Sequence, residues 1–200
     1  MKSYGEAEMW SRCLWKIKSP VYDWLRLRLL QKRDYAAVTM LLNKVPFNSV
    51  RQVLDAGSGT GGSLSLLTAY TPNAIGLDSS MAMLRKTTAA GILVNGDIMA
   101  SPFNTGIFDL ILCVGVSEYI ADLENLLITL NLHLCGGGYL IFTQSPVNGL
   151  NFLRKLSGHR LYLRNEQQTE KYFKETNFKI IKKSRTIIQA QYLLQKILIK

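Results

Sequence analysis

The feature that most constrains the fold of this chain is the glycine-rich segment VLDAGSGTGG at residues 53–62. A short apolar run ends in the carboxylate of Asp55, and the chain then passes through Gly57, Gly59 and Gly61 into a segment with a helical pattern. Glycine adopts left-handed backbone angles at little cost, and its missing Cβ lets another group approach the backbone closely. The segment therefore predicts a strand, a tight turn and a helix, with a ligand held against the backbone of the turn.

Apolar runs and helical patterns alternate through the middle of the chain, which is typical of βαβ units around a parallel sheet. The predicted strands are 52–55, 74–78, 92–97, 108–115 and 138–143, and the predicted helices between them are 62–70, 80–88 and 121–134. The last helix has leucines at three-and-four spacing: Leu123, Leu126, Leu127, Leu130 and Leu134. After a helix at 165–176, residues 179–188 and 190–199 are joined too tightly for a helical crossover, so they predict an antiparallel hairpin at the sheet edge. The sequence therefore predicts an α/β fold with helices on both faces of a mostly parallel sheet.

The length of 200 residues and the hydrophobic content of 48% indicate one domain, with a helical cap at 1–50 and a core at 51–200. The net charge of +10 is uneven: Lys and Arg counted against Asp and Glu give +5 for 1–50, −4 for 51–150 and +9 for 151–200. An acidic middle favours a cationic or neutral ligand, while basic flanks favour an anionic partner. We expect both flanks to meet around the substrate entrance, because ligands bind at the carboxyl ends of the strands in open α/β sheets.

Three carboxylates, Asp55, Asp78 and Asp97, end three successive predicted strands. The same glycines also satisfy the GxGxxG pattern of dinucleotide-binding proteins, but Asp55 would repel a pyrophosphate. An ammonium group about 4 Å from Asp55 would instead gain roughly 4 kcal/mol before desolvation. Asp78 stands where a carboxylate accepts hydrogen bonds from a ribose diol. The three acids therefore favour a cationic ligand that contains a nucleoside.

Five segments, in order and spacing, make residues 50–200 resemble the class I S-adenosylmethionine-dependent methyltransferases. They are DAGSGTG, GLDSSMAML, GDI, FDLILCVGVSEYI and LCGGGYLIFTQS. The resemblance implies a Rossmann-like sheet of seven strands that ends in the antiparallel hairpin. It also implies S-adenosyl-L-methionine as the cofactor, with the following residues around it: Asp55, Gly57 and Gly59 at the methionine end, Gly61 in the same loop, Asp78 and Ser79 at the ribose, Met83, Asp97 and Ile98 at the adenine, and Val114 beside the methyl group.

The candidate catalytic residues are Glu118, Tyr119 and His159. Glu118 and Tyr119 follow the fourth strand, where this fold places the acceptor, although both could equally be surface residues or lie at the start of a helix. His159, with Arg160 and Arg164, could contact an acidic substrate or remove a proton, or could be a solvated loop residue. Methyl transfer from a sulfonium has a good leaving group, so positioning supplies much of the acceleration and a general base is needed only for a protonated acceptor.

The sequence therefore predicts an enzyme, a methyltransferase that acts on a small apolar or anionic acceptor. An RNA methyltransferase is one alternative because of the basic C-terminal segment, and a non-catalytic cofactor-binding protein of the same fold is another. A nicotinamide-dependent dehydrogenase is disfavoured by Asp55.

Three cysteines without CxxC spacing and only two histidines predict no metal site and a reduced, cytoplasmic compartment. The N-terminus lacks the continuous apolar stretch of a signal peptide. Residues 10–33 interleave Trp and aliphatic residues with Lys and Arg, as interfacial helices do, although a lid helix over the cofactor has the same pattern. Peripheral contact with an anionic membrane is therefore one expectation for this protein.

Overall fold

A computed structural model describes residues 28–156 and 161–198 of the chain. The described residues form a sheet of seven strands in the order β3-β2-β1-β4-β5-β7-β6. The first five strands are parallel, and β7 pairs antiparallel with both β5 and β6. The strands are β1 (Val53–Ala56), β2 (Ala74–Asp78), β3 (Ile92–Asn95), β4 (Phe108–Cys113), β5 (Leu134–Gln144), β6 (Phe178–Arg185) and β7 (Ala190–Lys196). The predicted Rossmann-like fold with its C-terminal hairpin is confirmed.

Helices cover both faces of the sheet. They are α1 (Arg28–Leu42), α2 (Gly62–Thr68), α3 (Met81–Leu84), α4 (Leu123–His133), α5 (Gly149–Leu156) and α6 (Glu166–Glu175). One apolar core includes buried leucines of α4 and Phe173 of α6, and the other includes Leu41 of α1 and Leu64 of α2. The leucines of α4 are buried at the predicted three-and-four spacing: Leu123, Leu126, Leu127 and Leu130. Each face of the sheet therefore buries an apolar helix surface, as the alternating sequence pattern predicts.

The junction of α4 and β5 differs from the prediction. The helix ends at His133 and the strand begins at Leu134, four residues earlier than predicted, with no loop between them. Phe108 of β4 pairs with Leu134, but Leu110 already pairs with Tyr139, so β5 carries extra residues opposite a single residue of β4. The irregularity contains the glycines of CGGG, and Gly137 has φ +77°. Glycine permits this bulge, which is why the strand pattern is lost from the sequence there.

Helix α1 packs against the C-terminal hairpin through Asp34, which is almost fully buried. The Thr186 hydroxyl donates to the Asp34 carboxylate at 2.6 Å, and the Gln191 amide donates to the Asp34 carbonyl at 3.0 Å. The described part of the N-terminal flank therefore contacts the C-terminal flank. Residues 1–27, with most of the predicted amphipathic segment, lie outside the described residues. The division into a cap at 1–50 and a core at 51–200, and the meeting of the flanks at a substrate entrance, stay predictions.

Part of the positive charge of the C-terminal segment is paired. Lys183 of β6 forms ion pairs with Glu166 and Glu170 of α6 at 2.7 and 2.6 Å, and Arg185 forms one with Glu166 at 3.3 Å. Exposed ion pairs of this kind contribute little stability, but they lower the net charge that this face presents. Within the described residues, no helix has both the length and the apolar character needed to cross a membrane.

Candidate cofactor and acceptor site

The glycine loop lies at the carboxyl ends of β1 and β2 and has the predicted left-handed backbone. Gly57, Gly59 and Gly61 have φ values of +78°, +55° and +88°. The Gly57 and Ser58 N–H groups donate to the Leu77 carbonyl at 2.7 and 3.0 Å, so the loop is fixed to the end of β2. Residues with a Cβ adopt such angles only with strain.

The loop glycines are also required by packing within the protein. A Cβ on Gly57 would lie 2.3 Å from a Val116 methyl carbon, and one on Gly61 would lie 2.5 Å from the Thr87 methyl carbon. The expectation that the missing Cβ atoms admit a ligand therefore describes only part of their role. Side chains from after β4 and after α3 occupy the space at these two positions.

Asp55 is completely buried beneath the loop. The Ser63 hydroxyl donates to its Oδ2 at 2.7 Å, whereas its Oδ1 has no hydrogen-bond partner. Burial raises the pKa of Asp55 to about 7, and the nearby Asp78 charge adds to this shift, whereas the Ser63 hydroxyl and the Leu64 N–H oppose it. A buried carboxylate oxygen without a donor is costly, and a cationic group at this position would satisfy it.

Asp78 ends β2 and binds the glycine loop directly. It accepts hydrogen bonds from the Gly59 N–H at 2.9 Å and the Ser80 N–H at 2.8 Å, one on each carboxylate oxygen. Burial raises its pKa, although both N–H groups favour the ionised form. A carboxylate has about four acceptor positions, so each oxygen can accept a further hydroxyl. Ser79 is exposed beside it, and Met83 is buried, with its methyl carbon 3.5 Å from where a Gly59 Cβ would be.

The remaining predicted cofactor residues lie at the same edge of the sheet, in more enclosed places. Asp97 is half-buried and accepts from the Met99 N–H at 2.9 Å, so it caps the short turn Ile98–Ala100. Ile98 is buried in the core that α4 covers, and Val114 is buried at the end of β4. Strand β3 ends at Asn95, two residues before the predicted carboxylate end. Their contacts with a cofactor stay predictions.

The loop after β4 is held by the end of β5. The Gly115 N–H donates to the Thr143 hydroxyl at 2.8 Å, and the Ser117 hydroxyl donates to the Thr143 carbonyl at 2.8 Å. Glu118 is buried rather than on the surface, and its Oε1 accepts from the Ser145 hydroxyl at 3.3 Å. Tyr119 is half-buried, and helix α4 begins only four residues later. The alternative of Glu118 as a surface residue is therefore wrong, while its catalytic role stays a prediction.

Arg164 does not point to an acidic substrate, as the sequence analysis had allowed. Its guanidinium donates to the carbonyls of Ser117 at 2.7 Å, Ala121 at 3.1 Å and Tyr162 at 3.3 Å, and to that of Ile120. Burial lowers the pKa of Arg164. An arginine has five N–H donors in a fixed plane, so it can bind several carbonyl groups at once. The residue therefore braces the loop that carries Glu118 and Tyr119.

Sequence reasoning missed Thr143 and Ser145 as parts of this site, and it named Arg164 for a substrate contact instead of for its contacts with backbone carbonyls. The polar residues that end the apolar run LIFTQS gave a signal for the two hydroxyls, whereas nothing in the sequence around Arg164 indicates its carbonyl partners. His159 and Arg160 lie outside the described residues. The described residues also contain no cluster of three metal-ligating side chains.

Part of the chain matches a known protein family. Residues 54–142 match the family model described as a methyltransferase domain. A demethylmenaquinone methyltransferase of Thermus thermophilus is 32% identical over 141 residues, which cover 64% of this chain and 62% of that protein. An uncharacterized protein of Methanocaldococcus jannaschii is 29% identical over 107 residues, which cover 54% of this chain and 47% of that protein. The chain thus spans about half to three fifths of the length of these curated relatives.

Solved structures show the same fold. The magnesium protoporphyrin IX methyltransferase of Synechocystis, crystallised with bound S-adenosylhomocysteine, superposes with a TM-score of 0.75 at 18% identity and covers 94% of this chain and 99% of that one. Residues 54–142 thus match a methyltransferase-domain model, and the chain has the fold of the class I S-adenosylmethionine-dependent methyltransferases. The resemblance identified in the sequence is confirmed at the level of family and fold. None of the alternatives is favoured by these matches.

Proposed function

We propose that the protein binds S-adenosyl-L-methionine and transfers its methyl group to a small-molecule acceptor. The observation that carries this proposal is the buried Asp55, whose Oδ1 lacks a hydrogen-bond donor, beneath a glycine loop that is tied to Asp78. A cation on one side and a diol on the other would satisfy both carboxylates. The family match supports the same ligand.

The placement of the residues supports the following proposed contacts. Asp55, with the loop of Gly57, Gly59 and Gly61, would hold the methionine end through its charge and through backbone approach. Asp78 would accept the ribose hydroxyls while the Gly59 and Ser80 N–H groups hold its carboxylate, and Ser79 lies exposed beside it. The predicted adenine contacts are Met83, Asp97 and Ile98. Val114, at the end of β4, would lie beside the methyl group.

The bound sulfonium supplies an activated methyl group, which leaves the protein the tasks of orienting the acceptor and accommodating a proton. The braced loop after β4 would perform the first task, because Arg164 and Thr143 fix its backbone. Glu118 is the proposed proton acceptor for a protonated substrate, and the Ser145 hydroxyl holds its carboxylate. Tyr119, in the same turn, would contact the acceptor, and His159 stays a further candidate.

The acceptor is proposed to be small and apolar or anionic. The Thermus relative is named for demethylmenaquinone and the Synechocystis enzyme for magnesium protoporphyrin IX. These two acceptors differ from each other. They therefore support a small-molecule acceptor in general and do not indicate a particular compound. We also propose peripheral contact with an anionic membrane, which is supported here only by the positive charge of the two flanks.

Calorimetry should detect binding of S-adenosylhomocysteine and no binding of NAD. Asp78→Ala is expected to weaken binding of S-adenosylhomocysteine by about 1–3 kcal/mol, because the ribose hydroxyls lose their acceptor. Glu124→Ala, which removes an exposed acid of α4, is the matched control and should leave the affinity unchanged. Binding of NAD without any response to S-adenosylhomocysteine would contradict the proposed ligand.

The methyl acceptor can be assigned to a chemical class with methyl-labelled S-adenosylmethionine and fractionated cell extract. We expect label in small molecules that partition with lipid or with anionic metabolites. The variant Glu118→Gln should incorporate less label while its affinity for S-adenosylhomocysteine stays within about twofold, because the residue lies on the acceptor side. Label that enters RNA would instead favour the nucleic-acid alternative, and no label in any fraction would favour a non-catalytic protein.

A further inference from the structure

Five large apolar side chains are exposed near the carboxyl ends of β5 and β6 and on the neighbouring helix α1. They belong to the segment after β5, to the β6–β7 turn and to α1. Their exposed fractions range from 44% to 68%: Val147, Leu150, Phe152, Ile187 and Met40. We call these five residues the apolar rim. Single exposed apolar residues are normal, whereas exposed apolar residues on adjoining segments can form an interaction surface; Leu150 and Phe152 flank the buried Asn151 on α5.

Hydrogen bonds hold the parts of the apolar rim next to one another. The Asn148 amide donates to the Ile187 carbonyl at 2.9 Å. The buried Asn151 amide donates to the carbonyls of Pro146 and Ile188 at 2.9 and 3.1 Å. These bonds fix the first turn of α5 to the β6–β7 turn. Met40 and Ile187 line one open depression of about 600 Å³ between α1 and the hairpin, so the rim continues onto α1.

The charge around the apolar rim is basic. The described side chains of α1 and α5 include three exposed basic residues, Lys32, Arg33 and Lys155, and one acid. That acid, Asp34, is buried against Thr186 and adds no negative charge to the surface. Arg33 and Lys155 are exposed, and Arg33 lines the same depression as Met40. An apolar surface with a basic border is complementary to an anionic lipid bilayer, which offers acyl chains beneath negatively charged headgroups.

We propose that the apolar rim inserts into the interface of an anionic bilayer. The rim residues of α5 would enter the acyl boundary, and Arg33 and Lys155 would meet the headgroups. Helix α5 follows β5 by only four residues, so this docking would turn the carboxyl edge of the sheet toward the membrane. An acceptor dissolved in the bilayer would then reach the loop after β4 without crossing water; this last step rests on the proposed methyl transfer, whereas membrane binding itself does not.

The test is cosedimentation of the full chain with vesicles of phosphatidylcholine and phosphatidylserine, and with vesicles of phosphatidylcholine alone. The unmodified protein should bind the anionic vesicles more strongly, and high salt should weaken binding. Leu150→Ser combined with Phe152→Ser should lower the partition coefficient by about tenfold or more, because both apolar contacts are lost. The matched control is Ile128→Ser with Leu132→Ser, which removes two similarly exposed apolar residues from α4 and should change nothing.

Charge is tested separately from insertion. Arg33→Gln with Lys155→Gln should weaken anionic binding and reduce its salt dependence. Lys179→Gln with Lys182→Gln, which removes equal charge from the exposed face of β6, should have a smaller effect. Equal effects of the two charge pairs, or unchanged binding by the Leu150 and Phe152 variant, would overturn the proposal. So would a chain that ignores vesicles and self-associates through the rim in sedimentation velocity.

Calorimetry with S-adenosylhomocysteine separates this proposal from the proposed function. If the rim variants lose vesicle binding but keep their affinity for S-adenosylhomocysteine, the result supports membrane insertion of the apolar rim. A protein that binds S-adenosylhomocysteine but no vesicles overturns the rim and leaves methyl transfer standing. Rim-dependent vesicle binding without any cofactor affinity supports the rim and contradicts the proposed function.

Discussion

Asp55→Asn is expected to remove much of the pH dependence of the unfolding free energy of the ligand-free protein. The buried carboxyl has a pKa of about 7 in the folded chain, against an ordinary value of 3.8 for an aspartate in water. The folded state therefore holds this proton over a pH range in which the unfolded state has released it. As pH rises from about 4 to 7, the wild type should lose stability on the order of 4 kcal/mol from this group, at 1.36 kcal/mol per pKa unit.

The same substitution should also weaken binding of the cofactor. An ionised Asp55 opposite an ammonium group makes a charge-assisted hydrogen bond. With asparagine at this position, we expect the binding free energy to fall by about 1.5–3 kcal/mol. Wild-type affinity for S-adenosylhomocysteine should rise with pH up to about 7, because binding requires the ionised carboxyl. The affinity of the variant should be low and flat across that range. Urea unfolding and calorimetry at a series of pH values measure both effects.

Asp109→Asn is the matched control for this experiment. Asp109 accepts hydrogen bonds from the Arg51 and Gln52 N–H groups at 2.8 and 3.0 Å, far from the glycine loop. Burial would raise the pKa of Asp109, but these hydrogen bonds lower it overall. Its contribution to stability has the opposite sign: it is present above the unfolded pKa and is lost as pH falls through the lowered one. A constant difference between wild type and Asp55→Asn from pH 4 to 8 would show that Asp55 is not the buried acid described above.

Arg164→Lys should lower kcat by about tenfold or more while leaving S-adenosylhomocysteine affinity within about twofold. Lysine keeps the positive charge but cannot reach four carbonyls in one plane, so the loop of Ser117 to Ala121 loses its brace. Misplacement of catalytic groups is costly, because positioning supplies much of the rate of such reactions. Arg164 is a positioning residue in this view, since it acts through the loop.

The measurement for Arg164 is steady-state kinetics alongside calorimetry, with Arg51→Lys as a control at an exposed arginine. Full activity of Arg164→Lys would show that charge alone holds the loop. An equal fall in kcat and in cofactor affinity would instead assign Arg164 to the stability of the whole domain. Only a change in kcat without a change in affinity supports a local role.

The fold could be predicted from the sequence because its signals are local. The glycine loop, the apolar strands and the leucine spacing of α4 each depend on neighbouring residues, and all have their predicted form. The boundaries at the start of β5 and the end of β3 were wrong, because a glycine bulge and a short edge strand weaken the periodic pattern. Pattern reasoning is weakest at such ends.

The site could be predicted only in part, because its remaining contacts join distant segments. Arg164 binds carbonyls of residues more than 40 positions away in the sequence. Every residue has a backbone carbonyl, so residue type does not indicate which of them accept these hydrogen bonds. The burial of Glu118 depends on Ser145, which lies 27 residues further along. The side chains that occupy the space beside the loop glycines, Val116 and Thr87, are set by tertiary packing as well. Residue type and spacing indicate which groups are present, whereas the chain path decides which of them meet.

The glycine bulge at the start of β5 separates helix α4 from the part of β5 that holds the loop after β4. The length and tilt of α4 respond to its apolar partners, while Thr143 and Ser145 must stay in register with the end of β4. Because Gly136–Gly138 stand where the register of β5 is reset, a residue gained or lost at the end of α4 is accommodated before the strand reaches those hydroxyls. We therefore expect a change in the length of α4 to leave the positions of Thr143 and Ser145 unchanged.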